Sequence, residues 1–177
     1  MANKFLIVVD MQNDFIDGAL GTAEAQAMVP ATVARIRQAR QEGETILATL
    51  DTHGSDYMNT PEGRKLPVPH CIRETEGWQI HPEVMEAMGD ALLVEKPTFG
   101  STRLPEILRG LAQDPAAMTI ELIGLCTDIC VVSNTLLLKA HFPEADIRVR
   151  EACCAGVTPE KHAAALETMR SCQIDVL

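Results

Sequence analysis

Ile120 to Asn134 read IELIGLCTDICVVSN, and this stretch decides the fold. Met118 to Ile123 form a β-favouring run that stops at Gly124, the pattern of a buried strand in a parallel sheet. Thr127 and Asp128 are good N-cap residues, and from Ile129 the apolar positions shift to helical spacing through Val132 and Leu136 to Phe142. Strand, tight turn and helix therefore meet within a few residues, with Cys130 in the first helical turn. Free backbone N–H groups and the positive end of the helix dipole favour a thiolate there and suit an oxyanion. The alternative for Cys130 is a small buried hydrophobe without chemistry, the fate of most free cysteines.

Outward from this stretch, the chain repeats the alternation. Lys4 to Val9 (KFLIVV) is a continuous apolar run with Asp10 at its carboxyl end. The glycine-bearing loop that follows has no GxGxxG pattern, so a dinucleotide site has no support. Helical periodicity runs from about Ala25 to Gln41, with Gly43 as a C-cap; Pro30 predicts that the helix starts near Ala31 or is broken there. Glu44 to Leu50 is the second strand and ends at Asp51. Thr52 to Trp78 is a long irregular insert, a kind of segment that usually carries function. A helix at Pro82–Met88, a strand at Ala91–Glu95 followed by Lys96, and a helix at Thr102–Leu111 lead into the central stretch. Asp146–Arg150, Pro159–Ser171 and Gln173–Leu177 complete the pattern as strand, helix and strand. The expectation is a three-layer α/β/α fold: a doubly wound six-stranded parallel sheet in order 3-2-1-4-5-6, set by right-handed crossovers. No repeat or linker divides residues 1–177, which read as a single domain.

The net charge of -10 argues against partners with a phosphate backbone and against an anionic membrane surface. No run is long enough to span a bilayer, and Met1 to Asp10 does not resemble a signal peptide. The six cysteines fit no zinc-ribbon or CxxC spacing, so they are expected to be reduced thiols in a cytoplasmic protein. Aromatic residues are only 3%, so the core must be aliphatic with methionine as filler.

Asp10, Asp51, Lys96 and Cys130 all fall at or just past the carboxyl ends of separate strands, where ligands of open α/β sheets bind. A thiol beside a carboxylate and an ammonium is a nucleophile with a base and a charge partner; solvated strand-end charges are the alternative. Asp51-x-His53 places two side chains on one side of an extended segment that could clamp a metal, and His70 in the same insert is a candidate third ligand; plain surface histidines are the alternative. Three such donors with an open position suit zinc, iron or manganese. His81 reads as a helix-entry residue, and His141 and His162 as exposed helix residues.

The motifs FLIVVDMQNDF (Phe5–Phe15), DTH (Asp51–His53), PHC (Pro69–Cys71), EKPTFGS (Glu95–Ser101) and GLCTDICV (Gly124–Val131) occur in this order. The chain thereby resembles the isochorismatase-like cysteine hydrolases, and among them the nicotinamidase-like members. The resemblance implies a catalytic Asp10, Lys96 and Cys130, and a divalent metal, zinc before iron or manganese, on Asp51, His53 and His70. It implies a cis peptide at Leu125–Cys126, with the Cys126 and Cys130 amides forming an oxyanion hole, and a dimer or tetramer. Phe15 and Trp78 are the expected substrate-binding aromatics, with Tyr57 or Phe99 as further choices. Arg73 and Glu74, in IRETEGWQ, depart from the small residue and glycine of many nicotinamidases. The activity implied is hydrolysis of a small-molecule carboxamide, nicotinamide first, to acid and ammonia through a thioester. Vinyl-ether hydrolysis, and a non-catalytic ligand- or metal-binding module on the same fold, are the competing readings.

Overall fold

The computed structural model describes residues 3–177. Met1 and Ala2, the start of the segment read as carrying no signal peptide, lie outside the described residues. Strands β1 (Lys4–Val9), β2 (Thr45–Asp51), β3 (Leu92–Lys96), β4 (Thr119–Leu125), β5 (Asp146–Ala155) and β6 (Asp175–Val176) form one sheet. Every pairing is parallel and the order is β3-β2-β1-β4-β5-β6, as the crossover rule requires. β1, β2 and β4 lie inside the sheet, which is why their apolar runs are continuous rather than alternating.

Helices α1 (Asn13–Ile16), α2 (Ala23–Gln41) and α4 (Pro82–Met88) cover one face, packing on Leu6, Val8, Ala48 and Ile123. Helices α5 (Leu104–Leu111), α6 (Val132–His141) and α7 (Pro159–Ser171) cover the other, packing on Ile7, Val9, Leu47 and Leu122. The two-residue period of each strand sends successive side chains into the two cores. The short α3 (Pro61–Lys65) belongs to the insert between β2 and α4. Among the described residues, no helix is long and apolar enough to cross a membrane.

Pro30 corrects one expectation, because α2 is a single 19-residue helix running through it. Thr22 caps its first turn by accepting from the Ala25 N–H at 3.0 Å. Pro30 faces solvent, so water can satisfy the Gln26 carbonyl that loses its partner. The buried stripe Ala25, Met28, Val29, Val33, Ile36 and Ala39 runs across the proline and holds both halves to the sheet. β5 also runs past the expected Arg150 to Ala155, with a register shift opposite Leu122 and Gly124. That shift carries Cys153 and Cys154 into the two cores.

The register aligns the carboxyl ends that matter. Val9 pairs with Thr49 and with Gly124, and Asp51 pairs with Lys96. Gly124 has φ 121°, and a Cβ there would collide with the Val9 carbonyl oxygen, so only glycine allows this approach. Towards the amino end of the sheet, Glu121 of β4 is buried. Arg35 donates to it at 2.9 and 3.1 Å, and Arg150 at 2.7 and 3.3 Å. Burial alone would raise the Glu121 pKa, but these two guanidinium forks outweigh it and hold the carboxyl below its ordinary value.

Candidate active site

β4 ends at Leu125, the Leu125–Cys126 peptide is cis, and the chain enters a π-helical turn at Thr127–Val131 before α6 begins. The Cys126 carbonyl accepts from Ile129 N at 3.1 Å and from Val131 N at 3.0 Å. Cys130 therefore lies in a π turn, a feature common at functional sites, rather than in the first turn of an α-helix. Thr127 and Asp128 are not N-caps. Thr127 Oγ1 lies 2.8 Å from His162 Nδ1, and Asp128 Oδ1 accepts from Val157 N at 2.9 Å. These bonds fasten the turn to α7 and the loop before it. They also explain why His162, expected to be exposed, is half-buried; His141 is exposed as expected.

Asp10, Lys96 and Cys130 meet in the interior, at 0%, 1% and 4% exposure. Lys96 Nζ is 2.6 Å from Asp10 Oδ2, 3.4 Å from Cys130 Sγ and 3.5 Å from Asp51 Oδ1. Thr49 Oγ1 donates to Asp10 Oδ1 at 2.6 Å, and the Asp10 N–H donates to the Thr49 carbonyl at 3.1 Å. Burial pushes the Asp10 pKa up, and Lys96 offsets only part of that rise. Burial would lower the Lys96 pKa, but Asp10, Cys130 and Asp51 raise it far above the ordinary lysine value. Cys130 is pushed well above the ordinary thiol by burial and by the Asp10 carboxylate, against Lys96. The helix-terminus argument for a resting thiolate is thus overridden by desolvation. The resting sulfur is a thiol beside a carboxylate whose raised pKa suits it to carry a proton.

Asp51, His53 and His70, all buried, bring one donor atom each within 4.8 Å of one another. Asp51 Oδ2 is 3.0 Å from His53 Nε2 and 3.5 Å from His70 Nε2. Glu62 Oε1 joins them, 3.7 Å from His53 Nε2 and 3.8 Å from His70 Nε2. Metal bonds of about 2.1 Å put tetrahedral donors about 3.4 Å apart, so this N/O set fits one divalent ion. Nδ1 of His70 lies 2.8 Å from the Val68 carbonyl, which fixes the ring with Nε2 free to ligate. Burial raises the Asp51 pKa, but the His53 and His70 contacts overcome this and hold it well below the usual carboxylate range.

A cavity of about 400 Å³ opens above both groups. Its wall is mainly apolar and includes Phe15, Leu20, Leu66, Phe99 and Ile129, with Cys130 and Asp51 at the chemistry. Phe15 packs edge-on to His70 at 5.5 Å. Trp78 is a correction, for it does not line the cavity: its indole N–H donates to Thr52 Oγ1 at 2.8 Å and its carbonyl accepts from Gln12 Nε2 at 2.8 Å. Tyr57 is buried behind the histidines, 4.8 Å from the His53 ring and 5.0 Å from that of His70. Arg73 pairs with Glu95 on an exposed edge, and neither Arg73 nor Glu74 reaches the cavity wall.

The isochorismatase domain model matches residues 4–177. The chain belongs to the isochorismatase family. A curated relative, the nicotinamidase/pyrazinamidase of Mycobacterium tuberculosis, is 26% identical over 98% of this chain and 98% of its own. A pyrazinamidase of Pyrococcus horikoshii, solved in complex with zinc, superposes with TM-score 0.83 at 28% identity, covering 99% of each chain. A nicotinamidase of Bacillus subtilis does so with TM-score 0.83 at 27% identity, covering 99% of each.

Several residues of this isochorismatase-family site escaped the sequence reading. Glu62 was hidden in the insert, although Thr60-Pro61 is a helix-start signal that would have marked it: Thr60 Oγ1 accepts from Gly63 N at 3.0 Å. Gln12 donates to the Asp51 carbonyl at 2.9 Å and accepts from Asp51 N at 2.8 Å, tying the end of β2, where the insert begins, to the loop after β1. Asp14 Oδ2 accepts from Cys71 N at 2.7 Å, a second tie beside His70. Gln12 and Asp14 lie within the FLIVVDMQNDF motif, but nothing local in it announced these contacts.

Proposed function

We propose that this chain hydrolyses a small carboxamide to the carboxylic acid and ammonia, with nicotinamide as the first substrate to test. The observation that carries the proposal is the buried contact of Lys96 Nζ with Asp10 Oδ2 at 2.6 Å and Cys130 Sγ at 3.4 Å, at a cavity of substrate size. The nicotinamidases and pyrazinamidases among its relatives support the substrate class.

Asp10 accepts the Cys130 proton as the sulfur attacks the amide carbon, and Lys96 holds the negative charge that passes between them. The Cys126 and Cys130 N–H groups stabilise the tetrahedral oxyanion. Asp10 then gives its proton to the departing nitrogen, which leaves as ammonia. A thioester remains on Cys130. Asp10 takes a proton from water, which attacks the thioester and releases the acid, and the thiol is restored. Asp51, His53, His70 and Glu62 would hold one divalent ion, zinc being favoured by the zinc-bound Pyrococcus relative. Bound there, that ion would supply Lewis-acid chemistry to an electron-pair donor of the substrate. Phe15 and Phe99 flank the substrate ring.

An ammonia-release assay over a panel of aromatic and aliphatic amides tests the reading, with acid-quenched mass spectrometry on Cys130. Turnover of at least one amide and an acyl mass confined to Cys130 are expected. Release of ammonia from no amide by metal-loaded protein would sink the proposal.

A further inference from the structure

We infer that Asn134 is a positioning residue that sets the nucleophile against Lys96, an inference that rests on the role of Cys130 proposed above. Asn134 is fully buried on the first turn of α6, and its amide bonds to three groups on two segments. Nδ2 donates to the Cys130 carbonyl at 2.8 Å and to the Phe99 carbonyl at 3.2 Å. Oδ1 accepts from Ser101 N at 2.8 Å. Both amide protons and the oxygen are therefore used on a side chain that is itself fully buried, where a bond's loss is felt.

What these bonds join is specific to the chemistry. Ser101 and Phe99 belong to the loop that leaves Lys96 at the end of β3. Cys130 belongs to the π turn that leaves β4. Neither β3 nor β4 pairs with the other, since β2 and β1 lie between them. Sheet hydrogen bonds therefore do not connect the lysine to the cysteine directly. The Asn134 amide does so, by lacing the loop after one to the carbonyl of the other. The same loop carries Phe99 into the cavity wall, so the clamp also sets one side of the substrate space. A π turn has one more residue per turn than an α-helix has room for, and a side chain that seizes its carbonyl fixes where the widened turn sits.

Two variants test the inference: Asn134→Leu, which keeps the branching and heavy-atom count of the side chain and removes all three bonds, and Asn134→Asp, which keeps the acceptor for Ser101 N and loses both donors. Three measurements are needed: the melting temperature, kcat and KM separately, and the rate at which iodoacetamide alkylates Cys130 as located by mass spectrometry. A displacement of about 1 Å at the sulfur costs roughly 10²-fold, so kcat should fall by about that factor with KM changed less than about threefold. Cys130 alkylation should change in both variants, with its pH profile displaced from that of the wild type. Should Asn134→Leu fail to fold, Asn134→Asp decides. A lower melting temperature with wild-type kcat and wild-type Cys130 alkylation would make Asn134 merely structural and overturn the inference. The alkylation readout needs no substrate, so an inference that fails is distinguishable from a substrate assignment that fails.

Discussion

Replacing Lys96 by methionine separates two roles that the geometry gives this ammonium. The change keeps the length and most of the volume of a side chain that is 1% exposed, so packing should survive. Lys96 Nζ lies closer to Asp10 Oδ2, at 2.6 Å, than to Cys130 Sγ, at 3.4 Å. It therefore stabilises the carboxylate more than a thiolate, and in the proposed mechanism its main effect is to keep the base ionised. With an effective dielectric of about 20, a unit pair at 2.6 Å is worth about 6 kcal/mol. Losing all of it would cost roughly 10⁴-fold in rate. Water entering the cavity and the polar Thr49 hydroxyl return part of this, so a loss of about 10²–10⁴-fold at neutral pH is expected. The sign with pH follows. Asp10 must be ionised to accept the proton, and without Lys96 its already raised pKa rises further. The acidic limb of the rate profile should move to higher pH, and activity should recover partly as the solution becomes alkaline. Steady-state ammonia release between acid and alkaline pH measures this. Neutral-pH activity within tenfold of wild type, or a limb that moves to lower pH, would refute the reasoning.

Cys130→Ala should release no ammonia and yet melt within about 5 °C of wild type, because the cavity left is small; Cys172→Ser, on an exposed thiol, should be fully active. Glu62→Gln should weaken metal retention by about 10-fold, read by elemental analysis after dialysis against chelator, and unchanged retention would remove Glu62 from the ligand set. Glu121→Gln should cost about 2–3 kcal/mol, less than a fully broken buried pair, because Arg35 keeps Glu44 at 2.8 Å; the melting temperature should fall roughly 5–10 °C with activity per folded molecule unchanged. Since the Glu121 pKa is depressed below the ordinary 4.5, its contribution is present above that value and disappears as pH falls through the lower folded value. The two proteins should therefore converge in stability in acid.

The strands were legible because β1, β2 and β4 are buried on both faces and so carry unbroken apolar runs. Their order was legible because crossover handedness leaves few choices. The convergence of Asp10, Asp51 and Lys96 was legible because each stands at or just past a strand end, where register alone brings such residues together. The path of α2 through Pro30 was not legible, because local propensity breaks a helix there and only the buried stripe on both sides restores it. The π turn was equally hidden. It depends on Thr127 meeting His162 and Asp128 meeting Val157, contacts across 35 and 29 residues that no local window contains. Trp78 was misjudged because an aromatic in a functional insert reads as a binding residue, whereas its indole N–H had a partner elsewhere.

The insert between β2 and α4 supplies His53, Glu62 and His70 together with the Pro61, Lys65 and Leu66 side of the cavity, while Asp10, Lys96 and Cys130 belong to the sheet and the turn after it. Gln12 and Asp14 hold that insert down through backbone groups of Asp51 at its start and of Trp78 and Cys71 within it. In the proposed reaction, the cleaving groups and one wall of the cavity are thus carried by separate parts of the chain. A sequence can drift or be transplanted between Tyr57 and Leu66, altering which amide is admitted, without disturbing the atoms that cleave it. A chimaera swapping that span alone should shift the preference among amides, with Phe15 and Phe99 of the host still contributing their side of the cavity.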